Sequence, residues 1–276
     1  ENDHAAAPGS KARKIESELN TGGKGVLIGI IDVQGFDFAH PDFLDEHGET
    51  RFLNIWDQGG SQRPPPKGFK YGAEIRKEHM DEAIKNSSSL GVQPQRLEPQ
   101  SQMAYGSHGT HVASIAAGNS GLCPKAYLVG VLISLTDEDL DRRKSFHDSV
   151  NLAHAVDYIL ECAKELEKKK QKDIPVSINI SLGTNGHAHD GSASICRWID
   201  SELTIPGRSV CVAAGNAGQE KSETEGDYGF IMGRIHTSGK IPAKDLTKDI
   251  EWIVVGNGIA DISENELEIW YSAQDR

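Results

Sequence analysis

The chain has 276 residues, and its 29 Lys and Arg against 41 Asp and Glu give a formal net charge of −12. That length builds one large domain or two small ones with an ample core, and the content of 37% hydrophobic and 25% charged residues is that of an ordinary globular protein. The acidic balance excludes non-specific nucleic-acid binding, which needs clustered Lys and Arg to neutralise phosphates, and no apolar run approaches the roughly 20 residues of a membrane-spanning helix.

Residues 1–20 are polar and Ala-rich and read as an N-terminal extension with a short helix at Ala12–Leu19. The chain opens at Glu1 and not at Met, so the lack of a leader carries no weight. After Gly22, Gly23 and Gly25, the continuous apolar run Val26–Ile31 reads as a buried strand of a parallel sheet, ending at Asp32. Residues 57–105 contain Gly59-Gly60, Pro64-Pro65-Pro66 and the Ser87–Ser89 run, and read as a long, mostly irregular loop. His108–Gly118 reads as a helix and Tyr127–Ile133 as a second strand. Ser149–Lys170 is a long amphipathic helix with Lys168–Lys170 at its C-terminal end, where the macrodipole favours cations. Pro175–Leu182, Ser194–Leu203 and Ser209–Ala214 follow as strand, helix and strand.

This alternation predicts an α/β fold: a doubly wound parallel sheet with helices on both faces and right-handed crossovers, over residues 21–229. The pattern changes from residue 230 to residue 276. Ile250–Val255 and Glu266–Tyr271 are β-rich with no room for a helix between them, and read as antiparallel strands of a β-rich insertion.

Cys123, Cys162, Cys196 and Cys211 are too few for a disulfide scaffold and show no C-x-x-C spacing. Cys162 and Cys211 fall in apolar stretches, where cysteine behaves as a small buried hydrophobe. Four reduced thiols are expected, with a lean towards a cytoplasmic, reducing compartment.

In an open α/β sheet, ligands bind beyond the carboxyl ends of the strands. Asp32 ends the first strand, Ser181-Leu182-Gly183 ends the third, Asn216 follows the fourth, and His108 opens a helix after a long loop. An acid, an imidazole and an amide on one rim are the parts of a nucleophilic hydrolase, lacking only the nucleophile.

The stretch from Ile30-Ile31-Asp32-Val33-Gln34-Gly35-Phe36-Asp37 to His40-Pro41-Asp42-Phe43 resembles the aspartate motif of the subtilisin-like serine proteases (the subtilases, peptidase family S8). Gly106-Ser107-His108-Gly109-Thr110-His111-Val112-Ala113 resembles their histidine motif. Asn179-Ile180-Ser181-Leu182-Gly183 is similar to their substrate-pairing edge, and Ala213-Ala214-Gly215-Asn216-Ala217-Gly218 to the segment of the oxyanion-hole asparagine. The four motifs come in family order.

The resemblance implies a subtilisin-like fold and a serine endopeptidase. In it His108 is the general base, Asp32 its orienting acid, and Asn216 the oxyanion donor. A polypeptide substrate would lie along Ser181, Leu182 and Gly183, with Ala213, Ala214 and Gly215 as one wall of the first specificity pocket.

Two departures stand out. One residue more than usual separates Asp32 from Gly35, which alters the turn after the acid. The Gly-Thr-Ser-x-Ala-x-Pro serine motif does not follow Asn216; His236-Thr237-Ser238-Gly239 lacks the preceding Gly, the Ala and the Pro. The expectation is therefore that the nucleophile comes from a C-terminal part or second chain outside these residues, and that the 276 residues alone are inactive. The alternative is a pseudoprotease or peptide-binding module.

Other readings are weaker. A zinc pair of His108 and His111 would need i, i+4 spacing with an intervening Glu, which is absent. Structural calcium is frequent in the family, but Asp261, Ser263 and Asn265 lack the sixth-position Gly of a calcium loop, so no site is assigned. Gly22, Gly23 and Gly25 precede their strand, so they are not a dinucleotide fingerprint.

Overall fold

The computed structural model describes residues 21–103, 106–133, 145–182, 188, 190–214, 239–241, 246–249, 269 and 271, with side chains from residue 149 onward in the helix that begins at Ser145. Strands β1 (Leu27–Asp32), β2 (Phe52–Asp57), β3 (Ala73–Arg76), β4 (Tyr127–Leu132), β5 (Val176–Ile180) and β6 (Arg208–Val212) form one sheet in the order β3-β2-β4-β1-β5-β6. All neighbours are parallel except β2 and β3. Among the described residues the helices are α1 (Lys77–Leu90), α2 (Pro94–Leu97), α3 (His108–Ala117), α4 (Ser145–Lys170) and α5 (Ser194–Glu202), with a 3-10 turn at Pro41–Phe43. The mostly parallel sheet with helices is the expected doubly wound architecture.

The sequence of β1 explains its central place. All six residues of Leu27–Asp32 are buried, as a parallel strand covered on both faces requires. Alternate residues serve two cores. Leu27, Ile31, Val129 and Val131 pack with Val156, Ile159 and Ala163 of α4, while Ile28, Ile30, Leu128 and Leu132 pack with Phe36, Phe43, Phe52, Ala113 and Ala117. Burying each such large side chain contributes about 1.5–3 kcal/mol. Gly130 of β4 leaves room for Phe36: a Cβ there would lie 2.8 Å from the ring. The register places Asp32 opposite Leu132, Ile31 opposite Ile180, and Asp57 opposite Leu132, so these strands end level at one rim.

Two expectations are corrected. Residues 57–105 are not one long loop, since they contain β3, α1 and α2, although about half of the described positions there are irregular. Helix α1 turns only Met80 and Ala83 fully inward, so its Ser87–Ser89 run is the polar side of a last turn, closed by Gly91 in a left-handed conformation. Strand β2, not anticipated, buries Phe52, Ile55 and Trp56. Cys211 is exposed, not buried. It lies on β6 at the sheet margin, where Val210 turns towards the core and the alternate positions Ser209 and Cys211 turn away. Cys162 is buried, and all four cysteines are free.

The described residues of Glu1–Leu182 and Ser194–Ala213 form one compact unit, which holds every element above; those of Gly183–Ala193 and Ala214–Arg276 form another. The expected helix at Ala12–Leu19 and the expected strands at Ile250–Val255 and Glu266–Tyr271 lie outside the described residues, apart from Ile269 and Tyr271. Among the described residues no helix is long and apolar enough to cross a membrane.

Candidate active site

Asp32 and His108 meet at the sheet rim. Asp32, at the end of β1, is fully buried, and its Oδ2 lies 2.7 Å from His108 Nδ1. Its Oδ1 accepts from the Gln34 main-chain N–H at 3.0 Å. The His108 side chain is 51% exposed, so one ring edge faces the buried acid and the other faces outward. A carboxylate accepts and cannot donate, so Nδ1 carries the proton in the neutral ring and Nε2 is the free base.

The helix bearing His108 is fixed to the turn that follows Asp32. The Asp37 N–H donates to Thr110 Oγ1 at 2.8 Å, the Thr110 and Ser107 hydroxyls lie 2.7 Å apart, and Ser107 Oγ donates to the Gly35 carbonyl at 2.6 Å. Gln100 clasps Phe36 from both sides: its Oε1 accepts from the Phe36 N–H at 2.9 Å, and its Nε2 donates to the Phe36 carbonyl at 2.7 Å. The Gly35 N–H donates to the Gln102 carbonyl at 2.8 Å. Gly109 permits this proximity, because a Cβ there would sit 2.2 Å from the Gln34 carbonyl oxygen.

The segment leading into α3 is tied down as well. Asp57, fully buried at the end of β2, accepts from the Ser101 N–H and the Ser101 hydroxyl, each at 2.6 Å, and from the Gly59 N–H at 3.1 Å. Arg63 donates twice to Glu98, which is 3% exposed. Burial of that carboxylate is matched by a bidentate guanidinium, the geometry that stabilises a desolvated acid best.

A second acidic network holds the other end of α3. Asp42 accepts from the Ser120 N–H at 2.9 Å, from the Ser120 hydroxyl at 2.8 Å, and from the Ser114 hydroxyl. Burial works to raise the Asp42 pKa, but the hydrogen bonds from Ser114 and Ser120 and the nearby His40 together hold it below its ordinary value of 3.8.

Of the residues singled out in the sequence, Asp32 and His108 are brought into contact. Ser181 lies beside them in the sheet: its N–H donates to the Ile31 carbonyl at 3.4 Å, and its Oγ accepts from Asn179 Nδ2 at 2.7 Å. Leu182 packs against the core. Asn179 and Ile180 do not form an edge, because β5 pairs with β1 on one side and β6 on the other, so any pairing edge starts beyond Ile180. The Ala213 N–H donates to the Ile180 carbonyl at 2.9 Å, and Ala213 and Ala214 are exposed. Gly183, Gly215, Asn216 and Ser238 lie outside the described residues, as do Asp261, Ser263 and Asn265.

His111 is exposed on α3, and among the described residues no group of three or more His, Cys, Asp or Glu side chains could hold a metal ion. The positioning roles of Gln34, Gln100, Ser101 and Asp57 were not anticipated. Only the unusual Asp32–Gly35 spacing marked the place, and the partners are dozens of residues apart.

The pattern of the Subtilase family matches residues 23–264. Among solved structures, the CspB protease of Clostridium perfringens is similar, at 28% sequence identity and a TM-score of 0.53, over 73% of this chain. The chain spans 38% of the length of that protease.

Proposed function

Because the chain belongs to the subtilase family, we propose that it is the aspartate- and histidine-bearing portion of a serine endopeptidase. The single observation that carries the reading is the 2.7 Å contact between a fully buried Asp32 and a half-exposed His108. A serine hydroxyl is a weak nucleophile until an adjacent base takes its proton. His108 Nε2 takes that proton as the hydroxyl attacks the peptide carbonyl, then returns it to the leaving amine. Asp32 keeps the ring in the productive tautomer and stabilises the imidazolium. The Asn216 amide donates to the developing oxyanion. The substrate backbone lies along Ser181, Leu182 and Gly183, with Ala213, Ala214 and Gly215 walling the first pocket.

The serine itself comes, in this reading, from polypeptide beyond these 276 residues. Their lack of a Gly-Thr-Ser motif after Asn216 supports this, as does the 38% coverage of the similar protease. The four unpaired cysteines support a reducing compartment as the setting.

The test is a serine-directed phosphonate applied to the full-length protein, followed by mapping of the adduct. A modified serine outside residues 1–276, lost in His108→Ala, is the expected result. Asp32→Asn should lower kcat about 10⁴-fold, the scale on which a triad fails when its carboxylate becomes an amide. A folded full-length protein that takes no label and cleaves no peptide, yet binds extended peptides, would instead identify a binding module.

A further inference from the structure

Gln34 is the residue that makes the spacing after Asp32 unusual, and it touches both members of the pair. Its main-chain N–H donates to Asp32 Oδ1 at 3.0 Å. Its side-chain Oε1 accepts from the His108 main-chain N–H at 2.8 Å, across 74 residues of sequence. The amide orientation is fixed by that donor, since Nε2 can only donate and so cannot face an N–H.

The first N–H groups of a helix have no partner within the helix, and the N-cap side chain normally satisfies one of them. Ser107 occupies the N-cap of α3 but makes no such bond. Its hydroxyl is committed elsewhere, donating to the Gly35 carbonyl and pairing with Thr110. The cap is therefore delivered from another loop. Resting on the protease reading above, we propose that Gln34 is a positioning residue for His108, a helix cap supplied from a distant loop of the same chain that locks the start of α3 to the turn holding Asp32.

The geometry explains why the additional residue is useful. Gln34 and Gly35 pass over the first turn of α3 so closely that a Cβ on Gly109 would meet the Gln34 carbonyl oxygen at 2.2 Å. At that distance a glutamine side chain reaches the His108 N–H without leaving the surface. Its main-chain bond to Asp32 survives any substitution except proline, so side-chain variants isolate the cap. Movement of the helix start against the turn draws the ring from the acid, and the Gln34 side chain opposes that motion.

The experiment uses the full-length protein and two variants. Gln34→Met keeps length and removes the acceptor; Gln34→Glu restores an acceptor. The readouts are water exchange of the His108 Nδ1 proton, followed by NMR, and the kcat and KM for a peptide substrate. In Gln34→Met the Nδ1 proton should exchange roughly five- to tenfold faster, the population equivalent of one lost capping bond. The kcat should fall by less than that factor, since it follows the aligned population, with KM unchanged, and Gln34→Glu should restore wild-type exchange. Wild-type exchange in Gln34→Met would overturn the proposal, and so would faster exchange that Gln34→Glu fails to rescue. If no variant, and not the parent either, cleaves peptide, the protease reading fails, while the exchange rates still decide the role of Gln34.

Discussion

Replacing Gly109 by Ala sets two effects of opposite sign against each other. Ala is the better helix former by about 1 kcal/mol, so intrinsic propensity alone makes the variant more stable. The structure says otherwise. The new Cβ would lie 2.2 Å from the Gln34 carbonyl oxygen and 3.0 Å from that of Gly35. Both are backbone atoms, so no side-chain rotation relieves the contact. Reaching even the 3.0 Å limit of real Cβ contacts needs about 0.8 Å of movement between α3 and the turn. That turn is held by bonds from Gln100, Gln102 and Ser107, which resist it. Overpacking of this kind costs about 1–3 kcal/mol, occasionally more, which leaves a net destabilisation of about 0–2 kcal/mol after the propensity gain. The same movement carries the His108 ring from Asp32, and a displacement near 1 Å costs on the order of 10² in rate. Urea unfolding and steady-state peptide hydrolysis on the full-length protein measure the two consequences. A Gly109→Ala variant more stable than the parent, with unchanged kcat, would refute the close-approach reasoning.

Further predictions concern the residues around the site. Asp57→Asn turns an all-acceptor group into one that faces the Ser101 and Gly59 donors with its own N–H₂, and should destabilise by about 1–3 kcal/mol in chemical denaturation, with Asp57→Ala no better. The lowered pKa of Asp42 gives stability that is complete above 3.8, the ordinary value, and is lost as pH falls through the lower folded-state value. The melting temperature should therefore drop on acidification more steeply in the parent than in Asp42→Asn; equal slopes would count against the network. Burial pushes the Cys162 thiol up to about 12, while Cys211 is exposed. Iodoacetamide on the native protein should modify Cys211 and spare Cys162, as peptide mapping would report.

The elements that were readable in the sequence share one property. β1, β4, β5 and β6 are short apolar runs, and α4 carries a long 3.6-residue periodicity; each announces itself within its own span. Asp32 and His108 were readable because each sits in a local motif at the end or start of such an element. β2 was missed because Ile55 and Trp56 are buried on opposite faces, which removes the alternation of a half-exposed strand. α1 was missed because a helix on the sheet margin needs only Met80 and Ala83 fully buried, leaving twelve positions to polar or partly covered residues that resemble a loop. The supports of the site were unreadable for a different reason. Gln34 to His108, Gln100 to Phe36 and Asp57 to Ser101 are side-chain bonds across 74, 64 and 44 residues, and no local pattern encodes such a meeting.

The excursion between β2 and α3 is anchored at its return and bare at its crest. Lys67 and Gly68 are exposed, and Gly68 has no neighbouring atom within 4 Å of the place a Cβ would take. Ser101 and Gln100, by contrast, are stitched to Asp57 and Phe36. A chain scission at the crest therefore leaves the imidazole seated. Continuity of the backbone at that arch and alignment of the Asp32–His108 pair are thus separate properties of the fold.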